Sequence, residues 1–174
     1  LDSTEPVNIF SGEGVTRFAV NRRVNRGKSN VNELARTLEG PVDHSVPVIK
    51  VVSGNNELLA IVFGYACHST TLSIYKWTGD YPGFAQTELE KMFPGATAMF
   101  FAGTGGDQNP LPRRSISYAR QYGKSLAAAV EAVVNEPMKE LSPELSTAYS
   151  EVDLSYGDPP PPSREELQIG RAHV

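Results

Sequence analysis

Apolar and polar residues change their spacing several times along the chain, and each change predicts an element. Residues 15–20 (VTRFAV) are rich in β-formers and run into Asn21-Arg22-Arg23 and a polar stretch over 25–32, which predicts a strand followed by a loop. Residues 47–52 (PVIKVV) and 58–66 (LLAIVFGYA) flank the turn-forming 53–57 (SGNNE), so the pair reads as a β-hairpin. Its second strand is apolar on both faces and is expected inside a sheet. From Pro82, the residues Ala85, Leu89 and Met92 share one helical face, and Pro94-Gly95 ends that helix. Residues 97–101 (TAMFF) predict a compact strand that runs into a glycine-rich loop over 103–110. Ala119, Tyr122, Leu126, Val130 and Val133 then recur at three and four residues, an amphipathic helix over 115–134 stopped near Pro137. Alternation of Ala148, Ser150, Val152 and Leu154 with Tyr149, Glu151 and Asp153 predicts a last half-buried strand before an extended proline linker at 159–162. The order β, ββ, α, β, α, β predicts an α/β fold: a mixed β-sheet flanked by helices.

Composition narrows the function classes. With 174 residues, 40% hydrophobic and 21% charged, the chain suits one globular domain with a core. Lys+Arg 16 against Asp+Glu 20 gives a net charge of -4, which offers no general attraction for nucleic acid. The longest apolar run, 58–67, has ten residues, too short for the roughly 20 of a transmembrane helix. Cys67 is the single cysteine, so neither an intrachain disulfide nor a multi-cysteine zinc site is available. It alternates with His68 and is expected in the core, away from any Cys/His dyad. The chain starts at Leu1 without an initiator methionine, and residues 168–174 (QIGRAHV) match a translated sequencing adaptor, CAG ATC GGA AGA GCA CAC GTC. Residues 1–167 are therefore expected to be a piece of a larger domain and 168–174 not to belong to it, the alternative being a natural helical tail that continues 163–167 (SREEL).

Polar residues cluster where two strands end. In open α/β sheets ligands sit beyond the carboxyl ends of strands. The first cluster is Cys67-His68-Ser69-Thr70-Thr71 and the second is 103–110; if their strands are parallel, both loops meet at one edge. His68 is either a zinc ligand or a histidine hydrogen-bonded within the core. Asp80, before a proline-opened helix, either orients a catalytic group or caps that helix. Asp107 and Asn109 either line a pocket or shape a turn. The glycines at 103, 105 and 106 can form a backbone nest for an anion, but the lysine of a phosphate-binding loop is absent. Arg113-Arg114 read as solvated surface, and His44 as exposed at a strand entrance.

Read in order, these motifs resemble the neutral/alkaline non-lysosomal ceramidase family, over roughly residues 18–134. Asn21-Arg22 is similar to the family's Asn-Arg element. Gly40-Pro41-Val42-Asp43 leading into Val48-Ile49-Lys50-Val51 is similar to its "D...LLKV" strand. Tyr65-Ala66-Cys67-His68-Ser69-Thr70 resembles "ATHGTS", Gly79-Asp80-Tyr81-Pro82-Gly83-Phe84-Ala85 resembles "GDNKGYA", and Gly106-Asp107-Gln108-Asn109-Pro110 resembles "GDVSP". The resemblance implies a secreted or periplasmic zinc-dependent amidase that hydrolyses the amide of a ceramide-like lipid. It makes His68 a zinc ligand, with Asp80, Asp107 and Asn109 as pocket groups and the remaining ligands outside this chain. Zinc would polarise the carbonyl or activate a nucleophile. Asn109 stands where "GDVSP" has its nucleophilic serine, and an amide does not replace a serine hydroxyl. The alternative is therefore a catalytically inactive ceramidase-like domain that binds a lipid or a glycan.

Overall fold

The computed structural model describes residues 4–25, 38–154 and 162–165. Two compact units divide the chain after Leu141. Among the described residues the first contains seven strands and two helices: β1 (Val7–Val15), β2 (Ala19–Asn21), β3 (Ser45–Ser53), β4 (Leu58–Tyr65), α1 (Asp80–Met92), β5 (Thr97–Ala102), β6 (Gln108–Pro110), α2 (Ile116–Asn135) and β7 (Lys139–Glu140). Five strands form a mixed sheet in the order β5-β4-β3-β1-β7, and β2 pairs with β6 in a separate two-stranded ladder. The fold is α/β, as the pattern predicts.

The hairpin forms as expected. Val48 faces Phe63 and Val51 faces Ala60, with a bulge between Val51 and Val52. β4 is internal, antiparallel to β3 and parallel to β5, so the loops that follow β4 and β5 leave from the same edge. Both helices pack on one face of the sheet. Val46, Val48, Ile61, Phe63, Tyr65 and Ala98 there meet Ala85 and Leu89 of α1 and Leu126, Ala127 and Val130 of α2. Phe18 joins these layers: its ring stacks on Tyr122 at 4.6 Å and lies 4.7 Å from Tyr65 and 5.0 Å from Tyr81. Aromatic pairs at these distances add about 0.5–1.5 kcal/mol each beyond area burial. The opposite sheet face presents Ile9, Met99 and Phe101 exposed.

Several expectations need correction. β1 runs over Val7–Val15 and the next strand starts at Ala19, so 15–20 is not one strand but an end, a link and a beginning. Hydrophobic alternation does not reveal β1 because two of its helix-facing positions are Gly12 and Gly14. A Cβ on Gly14 would sit 2.9 Å from the Ala129 carbonyl oxygen of α2, so close approach of the helix requires glycine there. Met92 is exposed rather than on the buried face of α1; Phe93, just beyond the helix, packs against the core instead. In α2 it is Val134 that is buried, with Val133 half-buried against the core. Ser115 caps α2 by accepting from the Ser117 amide at 3.2 Å.

The second unit is Ser142–Val174. Residues 148–154 form no strand there, and each is exposed. An alternating pattern needs a ladder partner to become a strand, and among the described residues of this unit there is none. Of the proline linker only Pro162 is described, and 168–174 lie outside the described residues.

Candidate functional site

The loops after β4 and β5 are sewn together by backbone. The Gly103 amide donates to the Tyr65 carbonyl at 3.1 Å, and the His68 amide donates to the Gln108 carbonyl at 3.0 Å. Gly105 lies flat on the end of β4: a Cβ there would be 2.5 Å from the Cys67 nitrogen and 2.6 Å from the Ala66 carbonyl carbon. The glycine-rich loop thus serves close approach of two backbones, which no other residue type permits. This contact holds the His68 ring.

His68 Nδ1 lies 2.8 Å from the Gly105 carbonyl oxygen. A carbonyl only accepts, so Nδ1 carries the proton, and in the neutral ring the lone pair is on Nε2. A fixed Nδ1–H···O=C bond that leaves Nε2 as the basic atom is the usual support of a metal-binding histidine. His68 is half-buried, with access to solvent.

Asp107 and Asn109 flank Gln108 and are therefore beside the His68 backbone. β6 pairs Asn109 with Val20 and Gln108 with Asn21. The Asn109 side chain makes no hydrogen bond among the described residues and is half-buried. Asp107 is tied to β2: its Oδ2 accepts from Asn21 Nδ2 at 3.3 Å, and its carbonyl accepts from the Arg22 amide at 2.7 Å. Arg22 Nε donates to the Gly106 carbonyl at 3.0 Å. Asn21 is buried and also accepts, through Oδ1, from the amides of Arg23 and Val24. Gln108 is buried too, and its Oε1 accepts from the Asp43 amide at 3.0 Å. Asn21, Gln108 and the Gly105 carbonyl carry this site's geometry, yet periodicity cannot single them out. The only sequence signal was a polar pair, Asn21-Arg22, directly after a short apolar run.

Asp80 stands on the other side of the His68 loop. Gly79, not Asp80, is the N-cap of α1, and Asp80 has φ 50°, a left-handed conformation that aspartate tolerates better than most residues. This corrects the capping expectation. The Asp80 carboxylate accepts from the Leu72 amide at 2.8 Å (Oδ2) and the Tyr81 amide at 2.7 Å (Oδ1). Next to it, the Tyr81 hydroxyl donates to the Cys67 carbonyl at 2.7 Å. Asp80 and Tyr81 therefore fasten the His68 loop to the start of α1.

Cys67 is buried, as expected for a core position, and burial pushes its thiol well above the usual range, so it is no thiolate nucleophile. Burial likewise pushes the Tyr65 phenol up to about 12 and raises Tyr81 and Tyr122. These phenols are structural donors: Tyr65 donates to the Thr16 carbonyl at 3.0 Å and accepts from the Ala19 amide at 3.2 Å. His44 corrects another expectation, since it is half-buried, with Nδ1 enclosed and without a partner among the described residues. Burial first, and Arg17 second, lower its pKa. Arg113 is not simple surface either; its Nε is buried without a partner among the described residues. Those residues contain no group of three or more His, Cys, Asp or Glu side chains placed to hold a metal. Among the described residues no helix is long and apolar enough to cross a membrane.

No protein-family model matches the chain, and no curated protein matches it. Solved structures do. A ceramidase complexed with C2 superimposes with a TM-score of 0.66 at 20% identity, over 80% of this chain and 24% of that one. Neutral ceramidase from Pseudomonas aeruginosa gives 0.64 at 19% identity over the same shares. The chain thus spans about a quarter of the length of these ceramidases. Its mixed sheet and two helices have the fold of that part of the neutral ceramidases.

Proposed function

We propose that this chain supplies one wall of the active site of a zinc-dependent, secreted or periplasmic hydrolase that cleaves the N-acyl amide of a ceramide-like lipid. The observation that carries the reading is the His68 ring, turned by the Gly105 carbonyl so that Nε2 is the available ligand atom. Zinc takes three protein ligands or more, and we assign the others to parts of the longer protein outside residues 1–167. When bound, the metal supplies Lewis-acid polarisation of the amide carbonyl. In the hydrolysis water adds to the acyl carbon, the C–N bond breaks and the departing nitrogen takes a proton. Asn109, with an unengaged carboxamide beside His68, donates a hydrogen bond to the substrate carbonyl oxygen. Asp107, tethered by Asn21, holds the β6 end of the pocket. In the complete protein, His68→Ala should abolish stoichiometric zinc and turnover of N-acyl substrates; zinc retained in full would defeat the assignment.

Asn109 also favours a second reading, since it occupies the serine position of the family motif. In that case the domain binds a lipid or a glycan without turnover. Hydrolysis of any member of an N-acyl panel by the complete protein, lost in His68→Ala, would rule this out.

A further inference from the structure

We infer that Gln108 is a positioning residue for His68: its carboxamide clamps the segment that enters β3 and thereby keeps the His68 proton on Nδ1. Gln108 is only 3% exposed, and three of its polar groups reach three different segments. Its amide donates to the Gly105 carbonyl at 3.0 Å, and its carbonyl accepts from the His68 amide at 3.0 Å. Its Oε1 accepts from the Asp43 amide, also at 3.0 Å. The Gly105 oxygen that receives the Gln108 amide is the one 2.8 Å from His68 Nδ1. A carbonyl has two lone pairs, so Gln108 and His68 occupy both, and Gln108 helps set the direction in which that oxygen points. Gln108 thus holds His68 twice, once through its own carbonyl and once through Gly105.

The backbone bonds would form with other residues at 108; what this side chain adds is the tie to Asp43. β6 is three residues long and pairs with β2 alone, and a two-stranded ladder is marginal without further support. Asn21 and Gln108 stand directly opposite each other in that ladder, so their side chains share a face. Both grip the same segment: Asn21 Nδ2 donates to the Pro41 carbonyl at 3.1 Å, two residues before the Asp43 amide that Gln108 Oε1 holds. That segment becomes β3 of the main sheet at Ser45, so the pair anchors the small ladder to the large one. Without Gln108 Oε1 the end of β6 hangs on the His68 amide, and movement of β6 reaches the imidazole through the Gly105 carbonyl. Asn21 and Gln108 are buried by this chain's own residues, so the clamp does not depend on what else packs on the domain. The inference deepens the proposed role of His68 and rests on that reading for its functional meaning.

Nitrogen-15 NMR of the His68 ring in the 174-residue chain reads the tautomer without any metal. Gln108→Met keeps the length of the side chain and removes the acceptor. In it the ratio of Nδ1–H to Nε2–H rings should fall roughly tenfold, about what the loss of one hydrogen bond allows, with circular dichroism unchanged. Gln108→Glu keeps an oxygen for the Asp43 amide and should restore most of the ratio. Zinc content of the complete protein is a separate readout: loss of the metal reading leaves the tautomer effect standing, and an unchanged tautomer ratio leaves the metal reading standing. A folded Gln108→Met that melts lower but keeps the wild-type ratio would overturn the inference, because Gln108 would then support the fold without positioning the ring. So would a ratio as low in Gln108→Glu as in Gln108→Met. If Gln108→Met does not fold, hydrogen exchange in the wild-type chain decides. The amides of Asp43, Gln108 and His68 should open together; an Asp43 amide exchanging roughly tenfold or more ahead of the other two would show the clamp open while the His68 frame stays closed, and would overturn it.

Discussion

Two stretches leave the same strand end and behave in opposite ways. Residues 66–72 are bound to the glycine-rich loop, to β6 and to α1 through backbone groups, and Ala66, Cys67 and Thr71 among them are buried. Residues 73–78 are held only at their ends and expose every side chain. In the first, position is fixed by carbonyls and amides, so the side chain of His68 acts from a rigid frame. In the second, only the ends are fixed. Substitutions should therefore be severe in the first stretch and nearly silent for stability in the second.

Gly105→Ala should have the largest effect. Its Cβ would meet the Cys67 nitrogen at 2.5 Å, and backbone cannot swing aside as a side-chain tip can. Overpacking of this kind costs about 1–3 kcal/mol, and the loop that must move carries the Gly105 carbonyl away from His68. A lowered thermal midpoint together with shifted Cys67 and His68 amide resonances is expected. Tyr81→Phe comes next. It strips the buried Cys67 carbonyl of its donor, at about 1–3 kcal/mol. Asp80→Ala releases the Leu72 amide and joins the two stretches into one longer loop, which hydrogen exchange at Leu72 should register. Asp80→Asn keeps one acceptor oxygen and should restore part of the protection.

How much of this was legible in the sequence depended on side-chain period. The β3–β4 hairpin, β5 and both helices show in apolar spacing because their side chains make the core. β1 does not, since Gly12 and Gly14 leave blank the positions where α2 approaches. β2 and β6 are three residues long and exist only as each other's partner, so no local pattern announces them. For the site, His68, Asp107 and Asn109 were readable as polar residues at strand ends. The role of Gly105 was not, because a carbonyl looks the same at every position until the fold aims it. Asp80 left two roles open because an aspartate before Pro82 suits a helix start and a site equally well; its carboxylate in fact accepts from both the Leu72 and the Tyr81 amides, while Gly79 holds the cap position.

Smaller effects come from pH. The His44 pKa is lowered in the fold, so the unfolded imidazole takes a proton first as pH falls below 6.5. Stability present above that value should decline under mild acid, and His44→Gln should flatten the profile of thermal midpoint against pH. Tyr65 works in the other direction: the unfolded phenol ionises near 10 and the folded one at about 12, so stability present below 10 is lost across that interval. Tyr65→Phe should remove that alkaline component. Smallest of all, Tyr75→Ser/Trp77→Ser should change stability by less than about 0.5 kcal/mol, as exposed sites do.

The Gly105 carbonyl fixes the His68 proton on Nδ1 and leaves Nε2 bare in the neutral ring. Nitrogen-15 NMR of the His68 ring tests it most directly. In the neutral ring we expect Nδ1 to be protonated and Nε2 bare, with added zinc perturbing Nε2. A proton on Nε2, or a zinc response confined to Nδ1, would contradict the account.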